Sequence, residues 1–277
     1  MLRLPKNLGG AEMILKNLQF LKNLSDDFSL MMQSEQTDNL YVVSEKLDIC
    51  VKVKHGGYIP RSGLLFAECL NRFDFKDCAV ADIGCGETGI LAHYAFNCGA
   101  DPVVGADIDP SAIAHARSSS DKSSKICWII SDLFSNLNGL KFDVIFSNPP
   151  QMPMPFKRRK DLKDWHDSSG STGRETVLRI IEESPVYLRV KGRLYVLIFD
   201  FLGVEKSFNS CPSFKKVASQ YNLSCRVISS YKKNIREGGQ TQKSIPWIKE
   251  IYPKYKFKKD SSGNLIYNIL IVEFQKQ

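Results

Sequence analysis

The chain has 277 residues, 43% hydrophobic and 25% charged, a globular composition that excludes a largely disordered chain. Its net charge of +8 concentrates in two basic clusters, 157–160 and 231–260. Such clusters are solvated faces or sites that attract an anionic partner. No apolar run approaches the ~20 residues of a membrane helix. The N-terminus also lacks an uninterrupted signal-peptide core, so we expect a cytoplasmic protein without a membrane segment.

The first 40 residues are predicted to be helical, because Ile14, Leu18, Leu21 and Phe28 recur at roughly helical spacing. Two short strands follow, and a helix is predicted after a pair of glycines. These elements cover 40–43, 47–53 and 63–73.

From residue 79 onward strands alternate with helices, which implies a mostly parallel sheet with helices on both faces. The predicted strands are 79–83, 102–106, 126–130, 142–146 and 193–201, and the predicted helices are 89–98, one through 112–116, and 175–188. At the end of the chain, strands at 225–229 and 266–274 enclose a short helix at 245–251. An antiparallel strand added to a parallel sheet would explain this terminal pair.

The eight cysteines form no CxxC pair and no His/Cys cluster at metal-binding spacing. Most of them lie in apolar runs such as 125–130. We therefore predict buried, reduced thiols, no disulfide framework and no metal site.

A G-x-G-x-x-G motif in Asp82–Gly89 lies directly after a predicted strand and before a helix. Glycines there let the backbone approach a ligand, and the helix N-terminus favours negative or electron-rich groups. By itself the motif also suits a nicotinamide or flavin enzyme, or a simple tight turn.

Three acids mark successive strand ends: Asp82, Asp107 and Asp132, each 25 residues after the one before. One strand–helix unit fits each interval, so the carboxylates should cluster along the carboxyl edge of the sheet, where α/β folds bind ligands. Asp107 can accept hydrogen bonds from both ribose hydroxyls of an adenosine, and Asp132 can accept one from the adenine amino group.

The fourth predicted strand ends in Ser-Asn-Pro-Pro-Gln at 147–151. Two successive prolines stop the strand and fix the backbone. The Asn148 side-chain carbonyl and the Pro149 main-chain carbonyl can then converge as hydrogen-bond acceptors on an amino group. Such an arrangement aims the nitrogen lone pair at an electrophile without a strong base.

Together with 105–110, 131–134, 58–61 and 170–173, these motifs resemble class I S-adenosylmethionine-dependent methyltransferases. Within that class they resemble the release-factor glutamine N-methyltransferase group and its amino-methylating relatives. The likeness covers roughly residues 56 to 200. It implies a Rossmann-like, mostly parallel α/β sheet of about seven strands with an antiparallel C-terminal strand. A small helix/strand cap at 1–60 and an S-adenosylmethionine-binding catalytic domain at 61–277 would complete the chain.

The resemblance also implies roles for individual residues. Asp82, Gly84 and Gly86 would border the methionine part of the cofactor. Ribose and adenine would be held by a second set: Asp107, Ile108, Asp132 and Leu133. The acceptor would be presented to the methyl group by Asn148, Pro149 and Pro150. Gln151 stands where amino-methylating relatives usually carry an aromatic ring, so it is expected to influence acceptor selectivity.

Our leading hypothesis is methyl transfer to an amino or amide nitrogen, or a similar nucleophile, of a polar small-molecule or protein acceptor. The basic clusters favour an anionic acceptor, whereas Gln151 disfavours a flipped nucleic-acid base, which normally stacks on an aromatic side chain. A self-consuming alternative would cyclise the aminobutyryl group of S-adenosylmethionine and release methylthioadenosine. A nicotinamide oxidoreductase and a non-catalytic nucleic-acid-binding module rank lower. The sequence gives no indication of the oligomeric state.

Overall fold

A computed structural model describes residues 18–25, 29–34, 39–44, 46–54, 60–120, 124–154, 169–208 and 211–277. Contacts divide the chain into two compact units, 1–146 and 147–277, which are taken in turn. The basic cluster at 157–160 lies outside the described residues, as do Tyr58 and Ile59 of the motif at 58–61.

The first unit contains eight of the described strands and three helices; β8 extends one residue beyond it. The strands are β1 (Leu18–Ser25), β2 (Ser29–Ser34), β3 (Leu40–Ser44), β4 (Ile49–Val53), β5 (Val80–Ile83), β6 (Val103–Asp107), β7 (Cys127–Ile130) and β8 (Phe142–Ser147). The helices are α1 (Arg61–Leu70), α2 (Ile90–Asn97) and α3 (Pro110–Ser119).

The N-terminal helix predicted from the sequence is wrong over the described residues. Strands β1 to β4 instead form a four-stranded antiparallel sheet in sequence order, with Leu30 paired to Val43 and Leu40 to Val53. The apolar spacing in this segment fits strand alternation nearly as well as a helix, and pairing with the strands at 40–53 overrides the local pattern. Both strands predicted at 40–53 are confirmed.

The N-terminal sheet is anchored to the rest of the first unit through β4. His115 of α3 lies 3.3 Å through its Nε2 atom from the carbonyl oxygen of Lys52. Directly after β4, the Lys54 ammonium pairs with the Glu87 carboxylate at 3.2 Å. Since Glu87 belongs to the glycine-rich segment, the end of β4 lies beside that loop. A substrate-selecting role for residues 1–60 stays a prediction.

Parallel strands form the centre of the first unit in the order β8-β5-β6-β7. Every residue of β5 is buried, and its Val80 is paired in register with Val103, as Val104 is with Cys127. A short, continuously apolar run is typical of a strand covered on both faces. The strands and helices predicted between 79 and 146 are confirmed, with boundaries that differ by a few residues at most.

Over its described residues the second unit has three α-helices, a 3-10 turn and four strands. They are α4 (Glu175–Tyr187), β9 (Leu188–Phe199), a 3-10 turn (Asp200–Leu202), α5 (Phe214–Gln220), β10 (Leu223–Asn234), α6 (Gln240–Ile251), β11 (Lys258–Lys259) and β12 (Leu265–Lys276). Strand β12 lies antiparallel between β9 and β10. The predicted antiparallel C-terminal strand is thus confirmed, whereas the sequence analysis missed α5 and the full length of β10.

A buried carboxylate ties the three antiparallel strands of the second unit together. Glu273 of β12 lies opposite Tyr195 of β9 and Arg226 of β10. The Tyr195 hydroxyl donates to Glu273 Oε2 at 3.0 Å, and Arg226 donates to Oε1 through Nε at 3.0 Å and Nη2 at 2.7 Å. Charge-assisted cross-strand contacts of this kind fix strand register.

The cysteine prediction needs a correction. Only Cys69 and Cys85 are buried, Cys127 is exposed on β7, and the other five are half-buried; all eight are free thiols. In the described ranges no three His, Cys, Asp or Glu side chains converge as a candidate metal site. Over the same ranges no helix combines the length and the apolar character that a bilayer crossing requires.

Trp128 determines two glycine positions in the first unit. Its buried indole donates through Nε1 to Ser120 Oγ at 3.1 Å. A Cβ atom added at Gly89 or at Gly105 would overlap the indole ring. The last glycine of the G-x-G-x-x-G motif is therefore required by packing between helix and strand rather than by approach to a ligand.

Replacing Gly105 with alanine should therefore destabilise the protein by ~1–3 kcal/mol, because the added methyl group overpacks the core against Trp128. Urea unfolding at 25 °C measures this loss. In a Trp128→Leu background, which opens space above the glycine, the same Gly105→Ala change should cost clearly less. An equal cost in both backgrounds would show that the indole does not dictate this glycine.

Candidate active site

The glycine-rich loop between β5 and α2 presents backbone to open space. Gly84 and Cys85 both donate their N–H to the carbonyl oxygen of Ala106, at 2.8 and 3.0 Å. Gly84 (φ +74°) and Gly86 (φ +64°) adopt left-handed conformations, and a Cβ atom at either position would meet nothing within 4 Å. Glycines there leave the space beside the loop open, as the close approach of a ligand to the backbone requires.

Asp107, the last residue of β6, holds this loop in shape. Its Oδ2 atom accepts a hydrogen bond from the Gly86 N–H at 2.8 Å, and its Oδ1 atom accepts one from the Asp109 N–H at 2.9 Å. Each carboxylate oxygen retains a further lone pair. The half-buried side chain can therefore brace the loop and also accept hydrogen bonds from hydroxyl groups of a ligand.

Asp82 near the end of β5 is a buried carboxyl, with 2% of its surface exposed. Its Oδ2 atom accepts the Ala92 N–H at 3.1 Å, in the first turn of α2. Burial raises the pKa of Asp82 to about 7, and the Asp107 carboxylate acts in the same direction, while the Ala92 N–H opposes both. A cationic group bound beside it would favour the ionised form.

Two exposed apolar side chains lie at the same edge of the sheet, one directly after β6 and one at the end of β7. Ile108 is 53% exposed and Ile130 is 48% exposed, and Ile130 is the register partner of Asp107. Two such neighbours offer a surface for a flat apolar group. Leu133 adopts a left-handed φ of 49°, and its carbonyl accepts the Ser131 hydroxyl at 2.9 Å. This turn carries the exposed Asp132.

Residues 148–154, which we call the acceptor loop because the sequence analysis expects it to contact the acceptor, follow β8 directly. Gln151 in this loop is 2% exposed. Its Nε2 atom donates to the carbonyl oxygens of Leu197 at 2.9 Å and Pro149 at 3.3 Å, and its Oε1 atom accepts the Phe199 N–H at 2.7 Å. The side chain is engaged with backbone, whereas the sequence suggested contact with an acceptor. Its effect on selectivity stays a prediction.

The turn at 169–173 packs directly on the acceptor loop. Met154 donates its N–H to the Gly170 carbonyl at 3.0 Å, and Ser169 donates to the Met152 carbonyl at 3.1 Å. A Cβ atom at Gly173 (φ +77°) would lie 2.6 Å from the carbonyl oxygen of Gln151. The sequence analysis noted this segment only as part of a family likeness and did not anticipate that it braces the loop.

Helix α6 and the residue after it hold that turn from outside. Trp247 donates its indole N–H to the Ser171 carbonyl at 2.9 Å, and the Tyr252 hydroxyl donates to the Thr172 carbonyl at 2.5 Å. These partners are 76 and 80 residues apart in sequence, so no local pattern could have revealed them.

The model of the methyltransferase small domain matches residues 60–224, more than half of the chain. The chain belongs to this family. A Methanocaldococcus jannaschii relative, provisionally named a protein N5-glutamine methyltransferase, is 33% identical over 159 residues, covering 57% of this chain and 78% of the relative. The ribosomal protein L11 methyltransferase of Paraburkholderia phymatum is 39% identical over 90 residues, covering 32% of this chain and 29% of that protein.

A solved structure of a 16S rRNA N2 methyltransferase from T. thermophilus, in complex with AdoMet and guanosine, shares the fold. Its TM-score is 0.51 at 13% identity, over 97% of this chain and 60% of that one. The family member described here is thus an S-adenosylmethionine-dependent methyltransferase with the class I fold, as the sequence predicts.

The residues at this edge of the sheet fit that cofactor. S-adenosylmethionine supplies a methyl group on a sulfonium, an activated donor that needs no metal. The open space beside Gly84 and Gly86 would hold its methionine part, with Asp82 as the nearby carboxyl. Asp107 would accept from the ribose hydroxyls. Adenine would lie among the following: Ile108, Asp132 and Leu133. These assignments are proposals for the binding experiments below.

Replacing Asp107 with alanine should weaken S-adenosylmethionine binding by ~5- to 150-fold, the equivalent of ~1–3 kcal/mol, because the ribose hydroxyls lose their acceptor. Isothermal titration calorimetry measures the dissociation constant. Glu250→Ala, which removes an exposed carboxylate on α6, is the control and should bind like the wild type. Equal affinity of the Asp107 variant, or tight NAD binding by the wild type, would contradict the assignment.

The Asp82 carboxyl should make cofactor binding depend on pH. It is neutral below about pH 7 in the ligand-free protein, and a bound cation favours the carboxylate, so binding releases a proton. The dissociation constant should therefore rise as pH falls from 8 to 6, by up to ~10-fold per pH unit below 7. Calorimetry on Asp82→Asn isolates this carboxyl. If the variant keeps the wild-type pH profile, the cationic group does not bind near Asp82.

Proposed function

We propose that this methyltransferase acts on the amide nitrogen of a glutamine side chain in a protein acceptor. The observation that carries the proposal is the Asn-Pro-Pro segment directly after β8, which supplies two carbonyl acceptors on a rigid backbone. The provisional name of the archaeal relative, a protein N5-glutamine methyltransferase, supports the same acceptor. This segment, Asn148 to Pro150, would orient and hold the nitrogen rather than deprotonate it.

An amide nitrogen is neutral and weakly nucleophilic, so its orientation decides the rate. Its two N–H groups can donate to the Asn148 side-chain oxygen and to the Pro149 carbonyl, which directs the nitrogen lone pair toward the incoming methyl carbon. As the N–CH3 bond forms, the S–CH3 bond of the donor breaks, S-adenosylhomocysteine leaves as a neutral thioether, and the nitrogen loses one proton to solvent. Both acceptors are neutral, so they orient the nitrogen by hydrogen bonding alone, and the reaction uses no charged base.

The position of Gln151 favours an amide over a nucleic-acid base. A base taken out of its stack normally lies against an aromatic or apolar side chain. Here the residue that follows the double proline is buried, and its amide is hydrogen-bonded to three backbone groups. The exposed lysines of 231–260 favour RNA or another polyanion as the competing acceptor, and the labelling experiment separates the two.

Incubation with methyl-tritiated S-adenosylmethionine and fractionated cell extract tests this function. We expect label in protein, at a glutamine that gains one methyl group by peptide mass spectrometry, with S-adenosylhomocysteine as the co-product. Label in RNA would overturn the amide acceptor. Methylthioadenosine formed without S-adenosylhomocysteine would instead establish the self-consuming reaction.

Asn148→Ala removes one of the two acceptors that orient the nitrogen and leaves every proposed cofactor contact in place. Losing one oriented hydrogen bond at a reacting group costs ~2–4 kcal/mol in the transition state, so turnover should fall ~100-fold or more. Cofactor affinity should change less than ~2-fold, well under 1 kcal/mol. Turnover and the dissociation constant are measured side by side.

Asn138→Ala is the matched control, since Asn138 is exposed in the turn before β8. It should leave both quantities unchanged. A joint drop of cofactor binding and turnover in Asn148→Ala would indicate that Asn148 holds the amine of the cofactor. Unchanged turnover would reduce the double proline to a strand terminator.

A further inference from the structure

The Gln151 side chain makes the hydrogen bonds that a residue of a neighbouring strand would make beside β9. In a β-strand the carbonyl of one residue and the N–H of the residue two positions later face the same side. A residue of a neighbouring strand would donate a hydrogen bond to that carbonyl and accept one from that N–H. Leu197 and Phe199 present such a pair, and Gln151 answers both, donating at 2.9 Å and accepting at 2.7 Å.

The chemistry of the acceptor loop explains why a side chain is used there. Pro149 and Pro150 have no N–H, so this part of the loop cannot donate a backbone hydrogen bond. A primary amide carries both an N–H donor and a carbonyl acceptor on one edge, which among side chains only Asn and Gln provide. An aromatic residue at 151 could satisfy neither Leu197 nor Phe199 in this way.

The same amide also reaches the catalytic part of the loop. The Nε2 atom of Gln151 lies 3.3 Å from the carbonyl oxygen of Pro149. A carbonyl oxygen has two lone pairs, so this contact leaves one for the substrate nitrogen. Gln151 therefore links the end of β9 to one of the two acceptors that the proposed function assigns to the substrate.

The backbone of Gln151 is also closely packed. Gly173 approaches so closely that a Cβ atom there would lie 2.6 Å from the Gln151 carbonyl oxygen and 2.8 Å from the nitrogen of Pro153. Any side chain at 173 would therefore displace the backbone of the acceptor loop.

We propose that Gln151 is a positioning residue that fixes the direction of the Pro149 carbonyl and does not itself touch the acceptor. This inference rests on the proposed function and deepens it. The acceptor is then selected by hydrogen bonding to Asn148 and Pro149, without stacking on residue 151. Introducing an aromatic ring at 151 should cost activity on every acceptor, nucleobases included, whereas the sequence alone predicts only an influence on selectivity.

Three variants test the proposal, with Gln220→Met on the exposed end of α5 as the matched control. Gln151→Met removes donor and acceptor at similar volume, Gln151→Glu keeps the acceptor for Phe199 and removes both donors, and Gln151→Tyr adds the ring. The readouts are hydrogen exchange at the Phe199 amide, the S-adenosylmethionine dissociation constant, and turnover per folded molecule. Turnover is measured on whichever extract fraction the wild type labels, and on adenosine and guanosine.

In Gln151→Met, exchange at Phe199 should be ~10-fold faster or more, as expected for the loss of one hydrogen bond. Turnover should fall ~10- to 100-fold from misplacement of the acceptor, while the cofactor dissociation constant stays within ~2-fold. In Gln151→Glu, exchange at Phe199 should stay slow but turnover should still fall, a separation that general destabilisation would not produce. Gln220→Met should match the wild type throughout.

Several results would overturn the inference: exchange at Phe199 unchanged in Gln151→Met, turnover unchanged in both Gln151→Met and Gln151→Glu, or a Gln151→Tyr enzyme that outperforms the wild type on a nucleoside. If the wild type labels no fraction at all, the proposed function fails. The Phe199 exchange measurement then decides alone whether Gln151 holds the loop.

Discussion

The candidate site depends first on one charge-assisted contact, the hydrogen bond from the Gly86 N–H to the Asp107 carboxylate at 2.8 Å. Two glycines of this loop adopt left-handed conformations, which an unrestrained chain would populate only part of the time. An ionised acceptor at the end of the neighbouring strand stabilises the loop more strongly than a neutral one could. This contact therefore stabilises the loop conformation that leaves open space beside Gly84 and Gly86.

The carboxyl edge of the parallel strands places two carboxyl groups, Asp82 and Asp107, beside that loop. Asp82 lies near the end of β5 and Asp107 at the end of the adjacent β6, and burial together with the nearby Asp107 raises the pKa of Asp82 to about 7. A cationic cofactor bound beside Asp82 favours its ionised form. The carboxyl groups beside the glycine-rich loop thus favour a positively charged ligand, which agrees with the donor that this family uses.

Much of the fold could be predicted from sequence because the relevant signals are local. Strands such as β5 are short and mostly apolar, and the glycine loop and Asp107 lie where those strands end. The N-terminal segment was mispredicted because its apolar spacing fits a helix and a strand alike, and only pairing with 40–53 decides between them. Helix α5 was missed because it has only seven residues, too few to show a clear helical repeat.

The role of Gln151 lay beyond sequence reasoning for a different reason. Its partners Leu197 and Phe199 are 46 and 48 residues away, and no pattern around position 151 announces them. The sequence analysis therefore compared Gln151 with an aromatic residue as a surface for the acceptor. The same limit applies to Gly105. A side chain is excluded at that position by the Trp128 ring, and only the folded structure shows this contact.

The most direct test of the account is the identity of the atom that receives the methyl group. Reaction with S-adenosylmethionine carrying a 13C-methyl group, on a 15N-labelled protein acceptor fraction, allows the product methyl to be read by NMR. The account predicts a methyl carbon coupled to a glutamine side-chain nitrogen. A methyl group bonded to oxygen, sulfur or a nucleobase nitrogen would contradict it.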